Sequence, residues 1–232
     1  MKIGVIGAMQ MEVDTLKESL SDTTTVTYSG VEFVSGKMND VEVVAAVSGI
    51  GKVFAAICTE AMILKFEVDM IINIGVAGAL TRDLGVLDVA VADQVVQHDI
   101  DTSPLGDPYG LLSGINEIYL PTNDAMRKLL EDCLKGKGVH YLRGTIASGD
   151  QFIASEEKKQ WIRQQFDAIA AEMEGASIGH VCYINKIPFA ILRSISDSEG
   201  GAMDYQTFAK RAAILSIEVV LEFINRAGEL QL

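Results

Sequence analysis

The chain has 232 residues, 49% of them apolar, and a formal net charge of −13. That is enough for one large α/β core and too apolar for a disordered segment. The acidity argues against nucleic acid as a partner, because phosphate contacts need clustered Lys and Arg. No apolar run reaches the eighteen or so residues of a membrane span, so no membrane partner is expected.

Residues 2–7 read as an apolar first strand, too short and glycine-broken to be a signal peptide. A helix follows, with Val13, Leu16 and Leu20 on one face. Segments near 23–28, 31–38 and 41–48 are separated by Ser29-Gly30 and Asn39-Asp40 and predict hairpins. Ser48-Gly49-Ile50-Gly51-Lys52 is a glycine turn opening a helix, whose buried side is predicted to be Val53, Ile57, Ala61 and Leu64. Val68 to Ile74 is an apolar strand running into a second glycine turn, Gly75-Val76-Ala77-Gly78-Ala79.

Residues 88–97 predict a strand, and 99–118 a long loop rich in Pro and Gly. A loop of that length in a compact domain usually serves a function, such as a lid or a partner contact. A helix at 123–135, a strand at 140–148, a helix at 156–165, a strand at 168–172 and a helix from 174 follow. Ile187 to Ser194 is an apolar strand, and the last helix, about 205–226, carries Phe208, Ala212, Leu215, Val219 and Phe223 along one face. Strands alternating with helices predict a single domain, residues 1–232, with a mainly parallel sheet. Ligands in such sheets gather at the carboxyl ends of strands. Glu12, Gly75 to Ala79, the Ser148 turn, Glu174 and Asp197 all fall at such ends.

The glycines of Gly4-Val5-Ile6-Gly7-Ala8-Met9 lack the third glycine and the later acid of a dinucleotide fingerprint. Gly49-Ile50-Gly51-Lys52 lacks the spacing of a P-loop, and Val53 stands where Ser or Thr is needed. Cys58, Cys133 and Cys182 show no CxxC pair and read as buried thiols of a reducing, cytoplasmic compartment. His98, His140 and His180 show no ligand spacing. No metal and no cofactor is expected.

Acids at the ends of buried segments are costly unless bonded, cleft-exposed or used. Glu12, Glu174 and Asp197 stand in such places, which suggests acid–base work on an uncharged polar substrate. Glu172 and Glu174 lie two apart, so a strand end would aim them at opposite sides, one to a pocket and the other to cap the next helix. On the residues alone, each acid reads equally as structural or functional. Ser148-Gly149-Asp150-Gln151-Phe152-Ile153 reads either as a plain turn or as a wall stacking Phe152 on a flat base.

The runs GAMQMEV, SGIGK, NIGVAGAL, SGDQFI, EMEGASIGHV and LRSISDS resemble bacterial 5′-methylthioadenosine/S-adenosylhomocysteine nucleosidases, members of the nucleoside phosphorylase/hydrolase superfamily. The resemblance runs from the first strand to the last helix. It implies one α/β domain with a twisted, mixed, partly closed sheet flanked by helices, and a homodimer in which loop 99–118 nears the partner's site. It also implies a nucleoside substrate whose N-glycosidic bond is hydrolysed to adenine and a thio-substituted ribose.

By the same resemblance Asp197, its pKa raised by burial, protonates adenine N7, and Glu12 activates the attacking water with help from Arg193. Glu174 holds the ribose hydroxyls and Met173 packs on the sugar. Phe152 and Ile153 hold the base, Gly78 lets the chain approach the ligand, and Met9, Ile50 and Tyr205 line the thioether slot. Val76 stands where this family often has Ser, and Leu105 and Asp107 stand where aromatic residues are common. Val76 removes a hydroxyl donor and puts the positioning of water in question, and the loop change puts the preference for the 5′ substituent in question. The competing readings are a purine nucleoside phosphorylase, another purine nucleosidase acting on AMP or a futalosine-like nucleoside, and an inactive nucleoside-binding protein.

Overall fold

The computed structural model describes residues 1–197 and 202–230, without the side chains at 202–204 and 206. Its strands are β1 Lys2–Gly7, β2 Ser21–Tyr28, β3 Val31–Met38, β4 Val41–Val47, β5 Met70–Asn73, β6 Val76–Ala79, β7 Val89–Gln97, β8 Leu120–Pro121, β9 Tyr141–Ser148, β10 Ala168–Glu172 and β11 Phe189–Asp197. Its helices are α1 Asp14–Glu18, α2 Lys52–Phe66, α3 Asp124–Lys137, α4 Glu156–Phe166, α5 Gly175–Asn185 and α6 Ala202–Arg226.

The strands form one sheet in the order β2-β3-β4-β1-β5-β11-β6-β10-β9-β7-β8, and β11 also pairs with β7. That extra pairing closes β11, β6, β10, β9 and β7 into a ring. The sheet is mixed rather than mainly parallel. The hairpins β2–β3 and β3–β4 are antiparallel, as are β6–β10, β7–β8 and β7–β11. The hairpins are predicted by the sequence, but strand–helix alternation cannot see the reversals at β6–β10 and β7–β11, which pair strands far apart in sequence.

Two apolar layers flank the sheet. Val13, Leu16 of α1, Met126 and Leu130 of α3 and Val220 and Phe223 of α6 fill one face. Ala55, Cys58 and Met62 of α2 pack with Ile178 and Cys182 of α5 on the other. Ile162 and Phe166 of α4 seal the ring end with Val96, Ala147 and Ala168.

Helix α2 corrects the sequence reading. Of the row expected to be buried, Val53 is 69% and Leu64 62% exposed and Ile57 is exposed too, while Ala61 alone packs partly buried against the core. Both sides of this helix are apolar, so periodicity alone could not say which side meets the sheet. The segment Val76–Ala79, read as a turn, is a strand paired on both sides, parallel to β11 and antiparallel to β10. The two-residue strand β8 lies just past loop 99–118, pairs with β7, and is too short for the sequence reading to register. That loop holds a short 3-10 turn at Ser103–Leu105 and a bridge between Leu112 and Glu117.

Candidate active site

Strand β1 ends at Gly7 and the chain turns through a 3-10 helix, Gln10–Glu12, which folds Glu12 back under the strand end. The residue is 2% exposed. Oε2 accepts from the Ala8 N–H at 2.7 Å and the Met9 N–H at 2.9 Å, and Oε1 accepts from the Val76 N–H at 3.2 Å. Burial pushes its pKa above the ordinary carboxylate value, against the pull of the Arg193 guanidinium and of these N–H groups. Gly75 makes the arrangement possible. Its φ of 152° is open to glycine, and a Cβ there would stand 2.5 Å from Arg193 Nη1 and 2.8 Å from Glu12 Oε1.

Glu172 ends β10, and Glu174 lies beyond it at the start of α5. Glu172 accepts from the N–H of Glu174 at 3.1 Å and of Gly175 at 2.7 Å, so it caps the helix. It is also bound by Ser148 Oγ and by both Nε and Nη2 of Arg193. Burial alone would raise its pKa; Arg193 and Ser148 outweigh burial and hold it below the ordinary value. Arg193, inside β11, also donates to Asn73 Oδ1 at 2.6 Å and lies 3.7 Å from Glu174 Oε2.

Glu174 accepts from the Gly51 N–H at 2.8 Å, across the loop that opens α2. Burial and then the Glu172 charge raise its pKa to about 7, with Arg193 opposing. The chain leaves the pleat after Glu172, so the two acids do not point to opposite sides. Both line the same cavity.

Asp197 ends β11 and is 3% exposed. Ser196 Oγ donates to its Oδ1 at 3.0 Å, and Lys159 Nζ of α4 lies 3.9 Å from its Oδ2. A Cβ on Gly78 would stand 2.8 Å from that Oδ2. The missing side chain of Gly78 therefore makes room for the Asp197 carboxylate, and not only for a ligand. Ser198, the last residue of the LRSISDS run, lies outside the described residues.

One cavity joins these groups. Its walls include Met9, Glu12, Ile50, Gly78, Phe152, Ile153, Met173, Glu174, Asp197 and Tyr205. The Phe152 ring meets Tyr205 edge-on at 5.7 Å, and Tyr205 Oη donates to Met9 Sδ at 3.2 Å. These three close one end around an apolar slot. Leu80, Ser196 and Asp197 also line the cavity. The arrangement can hold a flat base beside one carboxyl and place a second carboxyl near a bound water.

Residues 2–225 match the family model described as the phosphorylase superfamily. A 5′-methylthioadenosine/S-adenosylhomocysteine nucleosidase of Staphylococcus epidermidis is 39% identical over 94% of this chain and 96% of its own. The chain belongs to this nucleosidase family.

The solved structures agree. A mutant of the Helicobacter pylori nucleosidase with 5′-methylthioadenosine in its active site superposes with a TM-score of 0.93 at 35% identity, over 97% of this chain and 98% of that one. A structure named as the native futalosine hydrolase of Helicobacter pylori gives 0.93 at 36% identity, over 97% of each chain. The fold is thus the family's mixed α/β architecture with a partly closed sheet, as the sequence motifs implied.

Of the residues singled out from the sequence, the structure gathers all but Arg193 onto the cavity wall. Arg193 stands behind it, bound through Nε and Nη2 to Glu172 and Asn73 and close to Glu174. Sequence reasoning missed Glu172 as the partner of Arg193, and it missed Lys159 and Ser196 beside Asp197. For Glu172 a signal existed: an arginine inside an apolar strand must find a buried acid.

Proposed function

We propose that this protein hydrolyses the N-glycosidic bond of 5′-methylthioadenosine and S-adenosylhomocysteine, the substrates named for its relatives. Asp197 gives a proton to adenine N7, and the C1′–N9 bond breaks with its electron pair going to the base. The ribose gains oxocarbenium character, as in other glycosyl transfers. Glu12 takes a proton from a water as that water bonds to C1′. Glu174 accepts from the ribose hydroxyls, Met173 packs on the sugar, and Phe152 and Ile153 hold the base. Arg193, neutralised by Glu172, steadies the acids without drawing an anion.

The observation carrying this reading is the set of bonds to Glu12. A phosphate co-substrate would need converging N–H donors and a free cation. The Ala8, Met9 and Val76 N–H groups are already taken by the Glu12 carboxylate, and Arg193 is paired with Glu172. Water fits where phosphate would be repelled. The slot formed by Met9, Ile50 and Tyr205 is apolar, which suits a thioether and not a 5′-phosphate. A second reading, a nucleoside with a bulkier 5′ group, is favoured by the futalosine hydrolase likeness and by exposed Ile50 at the slot mouth.

Product analysis tests this. With methylthioadenosine in phosphate-free buffer, free adenine and methylthioribose are expected, and AMP should be untouched. A strict need for phosphate, with a ribose-1-phosphate product, would sink the hydrolase assignment. Faster cleavage of futalosine than of methylthioadenosine would favour the second reading.

The chain is also proposed to act as a cytoplasmic homodimer. No described helix is long and apolar enough to cross a membrane. The outward row of α2, with Phe54, joins exposed Ile184 of the adjacent α5 in an apolar face suited to a second copy. Leu105, at the tip of loop 99–118, is exposed as well. Sedimentation at micromolar concentration should give a dimer, and Phe54→Glu a monomer. A parent chain that stays monomeric would overturn this part.

A further inference from the structure

Lys159 is a buried lysine on a helix whose neighbouring residues Glu156, Glu157 and Gln160 are exposed. Lysines are almost never this buried unless they are paired or used. Its side chain lines the cavity, and its ammonium lies 3.9 Å from Asp197 Oδ2.

The groups facing Asp197 come from several elements. Ser196 on β11 donates a hydrogen bond, and Tyr205 on α6 carries a phenol within electrostatic reach. Glu12 and Glu174 share the cavity and are negative when ionised, and the Arg193 charge is matched by Glu172. Among the described residues, Lys159 is the cation that lines this cavity.

An acid that gives its proton to a base becomes a carboxylate during the step. Two neighbouring carboxylates oppose that new charge, and a fixed ammonium favours it. The interaction is stronger in the transition state than in the ground state, which is the condition for it to accelerate the step. We infer that Lys159 is a positioning residue that stabilises the Asp197 carboxylate formed as the proton passes to the purine. This rests on the assignment of Asp197 as the acid.

The sign of the effect is fixed. The ammonium favours the ionised carboxylate, so deleting it lets Asp197 keep its proton to higher pH. The alkaline limb of kcat/KM, where Asp197 loses that proton, then moves up, while the plateau rate falls.

The test compares pH profiles for methylthioadenosine with the parent, Lys159→Met, Lys159→Arg and Asp197→Asn proteins in phosphate-free buffer. Met keeps the volume and removes the charge. It should lose about tenfold in plateau kcat and shift the alkaline limb up by about one pH unit. Arg should keep both close to the parent. Should Met fail to fold, Lys159→Gln carries the same expectation. A slower Met variant with an unshifted limb would mean a merely structural role and would overturn the inference alone, provided Asp197→Asn is inactive. An Asp197→Asn protein as active as the parent would instead remove the acid on which it stands.

Discussion

Replacing Asp197 with Asn should lower kcat on methylthioadenosine by about 10²–10⁴-fold, the usual worth of a positioned general acid. Adenine is a poor leaving group as an anion, and the step depends on a proton arriving at N7 as C1′–N9 lengthens. Asn keeps the volume beside Gly78 and can still accept from Ser196 Oγ, but it has no proton to give. KM should therefore change little, because Phe152, Ile153 and Glu174 still hold the base and sugar. The substitution replaces a carboxylate that is 3% exposed with a neutral amide of the same shape, so the thermal midpoint should stay near the parent's. Single-turnover kinetics, which separate chemistry from release, give the decisive number. Turnover within tenfold of the parent would remove Asp197 from the acid's role.

What the sequence reveals of this site divides along a physical line. Glu12, Glu174 and Asp197 are legible because each follows an apolar strand, and α/β sheets gather ligands at such ends. The convergence of five separated segments onto one cavity follows from that rule. Partners far apart in sequence are not legible. Arg193 and Glu172 are 21 residues apart, and Arg193 and Asn73 are 120 apart, so no local pattern joins them. Lys159 ends the run Glu156-Glu157-Lys158-Lys159, which reads as a solvated helix start, and only the packing of α4 on β9 and β10 turns its last residue inward toward Asp197.

Helix α2 and strand β6 fail for different reasons. The outer row of α2 is apolar on the side away from the sheet and is exposed in this chain, so an apolar period marks both sides of the helix alike. Strand β6 is four residues with a glycine inside, too short for a period-two pattern to register. Its existence is imposed by β10 and β11, which bracket it. The resemblance marks Gly78 as a place of close approach and Gly75 reads only as part of a turn, but which group approaches each requires the fold. Both make room for the protein's own acids.

The Glu12→Gln protein tests the other half of the chemistry, and two opposed effects must be separated. The base should be lost, for a drop in kcat of about 10²–10⁴-fold, because an amide cannot take the water's proton. The fold should also weaken. The parent's two oxygens accept from three backbone N–H groups, while Gln turns an NH₂ toward at least one of them, leaving a buried donor unmet at about 1–3 kcal/mol.

The pH profile tells the effects apart. Glu12 must be ionised to act, and burial raises its pKa above 4.5, so the parent's rate should fall on the acid side at a pH above that value. The Gln variant has no such proton to bind, so the limb due to Glu12 should be missing from its residual rate. Stability carries the matching sign. A folded-state pKa above the unfolded one means that the Glu12 contribution is fully present below pH 4.5 and is lost as pH rises through the folded value. The parent should show that slope in its unfolding midpoint, and the variant should lack it. An acid limb that persists unchanged in Glu12→Gln would assign it to another group, Glu174 being the next candidate, because its raised pKa also falls in this range.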